Sequence, residues 1–106
     1  MNAKTLAELV HFAPEKMQKV SIFDSRYMFY DLYCLMPGQS QKVHVHQDAD
    51  KIYLALEGEV MVTVGGLEKG LTRGQAVMAK AGETHGVRNA SSNPAVLLVV
   101  MSPKPN

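Results

Sequence analysis

Apolar positions in this chain fall in short runs cut by turn residues, with little of the three-to-four spacing that marks an amphipathic helix. From Met17 onward the runs are Gln18 to Phe23, Arg26 to Met36, a stretch around His44, Ile52 to Leu56, and Val60 to Val64. They continue with Leu67 to Leu71, Gln75 to Ala79, His85 to Asn89, and Ala95 to Met101. Their boundaries are Asp24-Ser25, Pro37-Gly38, Glu57-Gly58, Gly65-Gly66, Gly74 and Ala81-Gly82-Glu83; the Gly-Gly pair signals a tight hairpin. This spacing predicts roughly eight to ten strands and an all-β sandwich or barrel.

Two runs lack alternation. Ala95 to Met101 (AVLLVVM) reads as a strand buried on both faces. Tyr27 to Met36 (YMFYDLYCLM) is apolar on both faces except at Asp31, so both sides need cover, either from the chain itself or from a second subunit. Together the two runs predict a homodimer. At the start, Thr5 and Glu8 have capping-box spacing ahead of Leu9 and Val10, which predicts a short helix within residues 1–14 that ends before Pro14. Pro103 and Pro105 predict a frayed tail over 102–106.

Composition narrows the function classes. A chain of 106 residues suits one domain, and a formal charge of +1 lacks the basic excess of a nucleic-acid binder. No apolar run approaches the ~20 residues of a membrane-spanning helix. The N-terminal stretch has acids and a proline where a signal peptide needs an apolar run, and Cys34 is the only cysteine; both predict a cytoplasmic protein. No phosphate-loop or dinucleotide pattern is present, since Gly65, Gly66 and Gly70 belong to hairpins.

The candidate chemistry lies in GQSQKVHVHQDADKIYLALEG, from Gly38 to Gly58. Side chains two apart on a strand share a face with Cα atoms roughly 6.5–7 Å apart, so His44 and His46 can both reach one ion. Val43 and Val45 then point the other way, into packing. A third donor must come from elsewhere, and His85 is the leading candidate. His11 lies beside the N-terminal helix and suits a surface or capping role.

These residues resemble the two signature motifs of the cupin superfamily. Gly38, His44, His46 and Gly58 are similar to the first; Gly74, Gly82, His85 and Asn89 are similar to the second. The resemblance implies a jelly-roll barrel, also called a double-stranded β-helix, forming one cupin domain over 1–106. It also implies a divalent transition metal (Fe, Zn, Ni, Mn or Cu) held by His44, His46 and His85. Two positions depart from the family pattern: Lys51 stands where a glutamate usually completes the metal site, and Lys80 stands where proline is usual.

By strand parity Lys51 shares a face with Tyr53 and Ala55 and points toward the site. An ammonium cannot ligate, and near a divalent ion it is repelled or loses its proton. Three neutral imidazoles leave the ion's charge uncancelled, so the site should favour a small anionic ligand such as a carboxylate or thiolate. Asp48 or Asp50 offers a replacement carboxylate, Gln39 or Gln41 a weak oxygen ligand, and a metal-free pocket is a further alternative. Met78 and Met101 are expected as core or lining residues, Asn89 as a loop-bonding residue, and Arg73 and Arg88 as solvent-facing.

The first expectation for function is a metal-dependent, dioxygenase-like enzyme in which Lys51 and Tyr53 orient the substrate or move a proton. The alternative is a non-catalytic module that binds or senses a sugar or an organic acid. A metal-free dimeric scaffold is the third reading.

Overall fold

The computed structural model describes residues 1–105. Nine strands follow one short helix among these residues. The helix α1 (Leu6–Leu9) is a single turn that follows Thr5 and ends before Pro14, as expected. Thr5 makes no side-chain cap; only its carbonyl accepts from the Glu8 amide, at 3.1 Å. The strands are β1 (Gln18–Asp24), β2 (Phe29–Leu35), β3 (Ser40–Val45), β4 (Asp50–Glu57), β5 (Glu59–Val64), β6 (Leu67–Thr72), β7 (Ala76–Ala79), β8 (Thr84–Arg88) and β9 (Ala95–Ser102).

They form two antiparallel sheets, one in the order β1-β2-β9-β4-β7 and the other in the order β3-β8-β5-β6. Consecutive strands repeatedly change sheet, as in a jelly roll. The β5–β6 hairpin turns at Gly65-Gly66, whose φ values of 59° and 84° are those a primed two-residue turn requires.

The main core lies between the sheets. Tyr33 and Leu35 of β2, Tyr53 and Ala55 of β4, and Leu97 and Val99 of β9 meet Val60 and Val62 of β5, Leu71 of β6 and Val87 of β8. A second apolar cluster covers the outer face of the five-stranded sheet. Leu6, Leu9, Val10 and Phe12 of the N-terminal segment pack there over Ile22, Leu32, Cys34 and Val96. The chain itself thus covers much of the two-faced apolar surface of β2 and β9, and the short helix serves as a lid rather than as an independent element. Beyond Met101, where fraying was expected, Ser102 ends β9 and its hydroxyl donates to the Tyr27 carbonyl at 3.1 Å. Lys104 donates its amide to the same carbonyl and pairs with Asp24 at 2.7 Å. Asn106 lies outside the described residues.

Candidate metal centre

The pairing of β3 with β8 builds the centre. Gln41 faces Val87 and His44 faces His85, so Lys42 and Val43 together oppose the single residue Gly86. This is a β-bulge, and Gly86 makes it possible: a Cβ there would meet the Val43 Cα at 2.9 Å and the Gln41 carbonyl at 3.0 Å. The bulge resets strand parity, bringing Gln41 to the inner face along with His44. Val43 and Val45 do not enter packing as expected; they lie on the outer face of the sheet, 49% and 41% exposed. His46 lies just past the end of β3, anchored where its carbonyl accepts from the Gly82 amide at 2.9 Å.

His44, His46 and His85 come together with one donor nitrogen from each within 4.8 Å of the others. Ring centroids are 4.4 Å apart for His44 and His85, 5.0 Å for His44 and His46, and 5.5 Å for His46 and His85. From such spacing, small side-chain rotations bring three nitrogens to an ion about 2 Å from each. The His44 Nδ1 lies 2.7 Å from the Lys42 carbonyl and the His85 Nδ1 lies 3.0 Å from the Glu83 carbonyl. A carbonyl only accepts, so these nitrogens carry the proton and both Nε2 atoms keep a free lone pair. The His85 Nε2 is buried and has no hydrogen-bond partner among the described residues. An orphaned buried acceptor beside two more imidazoles fits a metal ion.

Burial holds all three imidazoles neutral. It pushes His85 down to about 4, aided by Lys51, His44 and His46 and opposed by the Glu83 carbonyl. His44 and His46 are also lowered, first by burial and then, for His46, by His44. Neutral imidazole is the form that ligates.

Lys51 lies inside the barrel, 1% exposed, on the same face as Tyr53. Its ammonium donates to the Gln41 Oε1 at 3.1 Å and lies 5.2 Å from the ring centroids of both Tyr33 and Tyr53. Burial lowers it to about 8, reinforced by Lys19 and opposed by Asp31. Tyr53 is fully buried, and its hydroxyl lacks a partner among the described residues. Its ring centroid is 6.3 Å from that of His85, and burial pushes its phenol upward. Burial likewise pushes Tyr33 up to about 12, although its hydroxyl accepts from Gln41 at 3.3 Å.

The other candidate ligands lie elsewhere. Gln39 bridges the Met36 amide and the Ala13 carbonyl at 2.8 and 2.7 Å, and Asp50 accepts from the Ala81 amide at 2.8 Å. Asp48 is exposed. Met78 points outward, 44% exposed, because its strand pairs it with the outward Ile52. Met101 is buried, paired with Lys51. Asn89 bonds the Leu35 and Asn93 carbonyls at 3.0 and 2.8 Å. Arg88 is exposed and pairs with Glu68 at 2.9 Å. Lys80, where the family's proline is usual, uses the amide that proline lacks: it donates to Glu83 Oε1 at 2.9 Å and closes the turn before His85.

Sequence reading missed Asp31 and Tyr33 as neighbours of the centre; Gln41, one of the two glutamines offered as weak ligands, does lie there, bonded to Lys51. Asp31, the lone acid in its apolar run, shares the inner face of β2 with Tyr33, and burial raises its pKa. Its isolation in the sequence was the available signal. Between Gln39 and Gln41 there was no such signal, because the bulge that turns Gln41 inward depends on close approach to Gly86.

Residues 31–101 match the family model described as Cupin domain, and the chain belongs to that family. It is similar to the TT1209 protein of Thermus thermophilus: 56% identity, TM-score 0.97, covering 99% of this chain and 100% of that one. A protein of Klebsiella pneumoniae with a double-stranded β-helix domain superposes with a TM-score of 0.89 at 22% identity, over 97% of this chain and 90% of the other. Among curated proteins, the tetracenomycin polyketide synthase protein TcmJ of Streptomyces glaucescens is 35% identical over 69 residues, or 65% of this chain. That match spans 46% of the curated relative.

Proposed function

We propose that the chain is a metal-dependent, dioxygenase-like enzyme acting on a small anionic substrate, with His44, His46 and His85 holding a divalent transition metal. One observation carries this reading: three neutral imidazoles converge, and the His85 Nε2 is buried without a partner. When bound, the metal would act as Lewis acid and template for the anion and would support dioxygen chemistry. Lys51, protonated at neutral pH, supplies a cation where most relatives would place a carboxylate, so the site attracts an anion rather than a neutral sugar. Tyr53 offers an unpaired hydroxyl beside the centre to orient the substrate or hold a proton.

Elemental analysis of purified protein, followed by oxygen uptake with a panel of carboxylates and thiols, tests the reading. The expected result is about one metal ion per chain and substrate-dependent uptake. Protein that retains no metal overturns the proposal. A metal-loaded but inert protein favours the second reading, a module that binds or senses an organic acid. Lys51 in the usual glutamate position supports that alternative.

The assembly proposed is a homodimer through the outer face of the five-stranded sheet. Met78, Ile52, Val100, Tyr30 and Phe23 lie side by side in register across all five strands, with Tyr30 at the margin of the N-terminal cluster and the Lys4 ammonium 5.0 Å from the Phe23 ring centroid. Phe23, Ile52 and Met78 are 40%, 39% and 44% exposed. An uncharged row of this kind is self-complementary about a two-fold axis, so a second copy is its natural partner. Among the described residues no helix is long and apolar enough to cross a membrane. The buried free thiol of Cys34 supports a reducing, cytoplasmic setting.

A further inference from the structure

A cavity of about 550 Å³ opens between β6 and β7, the edge strands of the two sheets. Its walls are Val62, Val64, Leu71 and Val77, with the largely exposed Leu67 at the rim. Its polar residues are mostly engaged in their own turns. The Gln75 Oε1 accepts from the Thr72 amide and hydroxyl at 2.9 and 3.1 Å, and the Glu83 Oε1 accepts from the Lys80 amide at 2.9 Å. The cavity therefore presents mainly hydrocarbon, with Lys69 as the cation at its edge.

Two of its walls adjoin the histidine centre. Val64 is the direct cross-strand partner of His85, and Val77 is that of Tyr53. Directly opposed residues carry Cβ atoms about 4.5–5.5 Å apart on one face, so on each sheet the next side chain inward from the cavity belongs to the centre. Those two neighbours, His85 and Tyr53, carry the two buried polar atoms that lack partners among the described residues. The two valines thus stand between apolar space on one side and the unsatisfied polar atoms of the centre on the other.

We infer that the substrate is an organic acid with a sizeable apolar body: its acidic group lies at the histidines and Lys51, and its hydrocarbon part fills the cavity between β6 and β7. The inference rests on the function proposed above and narrows its substrate class. A cavity of about 550 Å³ lies within the range of ligand pockets, and an acid as small as acetate would leave it unfilled. Val64 and Val77 then select by shape, while the centre selects by charge.

The test is calorimetric titration of metal-loaded protein with naphthalene-2-carboxylate and with acetate, metal content being measured in the same samples. The naphthoate is expected to bind at least about tenfold more tightly. Val77→Phe, which fills the cavity, and Leu67→Glu, which charges its exposed rim without touching the core, should each erase most of that ratio and leave metal content unchanged. Removing the metal should weaken the naphthoate about tenfold or more. Equal affinity for the two acids overturns the inference, as does a ratio that survives both variants. Naphthoate binding indifferent to metal also overturns it, because the cavity would then be a separate site. If the protein takes up no metal, the proposed function fails on its own, while the acid ratio and its response to Val77→Phe still decide the cavity's role.

Discussion

Lys51→Met should make the protein more stable at neutral pH. Lys51 is 1% exposed, and its drop from 10.5 to about 8 means that holding the proton costs about 3 kcal/mol more in the fold than in the unfolded chain, at 1.36 kcal/mol per pH unit. Methionine fills nearly the same volume and removes that cost. Against the gain stand the 3.1 Å bond to Gln41 and the two ring contacts, together about 1–2 kcal/mol. The net is a stabilisation of about 1–2 kcal/mol, or a rise in Tm of roughly 5–10 °C for a domain of this size. The pH dependence gives an independent signature. Between pH 8 and 10.5 the unfolded chain holds the lysine proton and the folded chain does not, so wild-type stability rises with pH through that window. The variant lacks this rise, so its advantage over wild type shrinks steadily as pH climbs from 8 toward 10.5. Urea unfolding of metal-free protein at several pH values measures both effects. A variant less stable at pH 7 by more than about 1 kcal/mol, or one whose curve runs parallel to wild type across the window, refutes the account of Lys51 as a buried charge held at a cost.

Acid should act through His85: below its ordinary 6.5 the unfolded chain takes up a proton that the fold refuses until about 4, so metal-free protein loses up to about 3 kcal/mol over that interval. Urea titrations from pH 7 down to 4 should show this slope, and His85→Phe should reduce it to the share of His44 and His46, which burial also lowers. Gly86→Ala drives a methyl into Val43 and the Gln41 carbonyl, forcing β3 away from β8. A loss of about 1–3 kcal/mol together with weaker metal retention is expected, and a crystal structure of the variant would show whether the bulge has moved. Lys51→Glu should tighten metal binding in equilibrium dialysis by restoring a carboxylate at the usual family position. Ile52→Lys, in the middle of the exposed apolar row, should yield a monomer by sedimentation velocity with thermal stability within about 0.5 kcal/mol of the wild-type protomer.

The strands were legible because each is a local event: Gly65-Gly66 turns where it stands, and Ala95 to Met101 is too uniformly apolar to lie anywhere but the interior. The histidines were legible for the same reason, since His44 and His46 lie close in the chain and the motif around His85 is compact. Contacts between distant segments were not. No local pattern says that Leu9 and Phe12 will cover Leu32 and Val96, which is why the sequence left open whether the chain itself or a second subunit covers β2. Nor does parity survive a bulge: Gln41 faces inward and Val43 outward because Gly86, in a different strand, leaves room for one extra residue. The short N-terminal helix was legible too, since it starts after Thr5 and ends before Pro14, and with so few residues it is held by its packing on the sheet rather than by its own propensity.

The position of β9 bears on how the molecule is made. It follows all the other described strands in chain order, yet it occupies the middle of the five-stranded sheet, pairing with β2 on one side and β4 on the other. Until the ribosome has delivered residues 95–102, those two strands have no bridge, and each presents a bare hydrogen-bonding edge beside apolar side chains. The nascent chain must therefore wait for β9 before closing, a period in which chaperone capture or pairing between neighbouring copies competes with correct assembly.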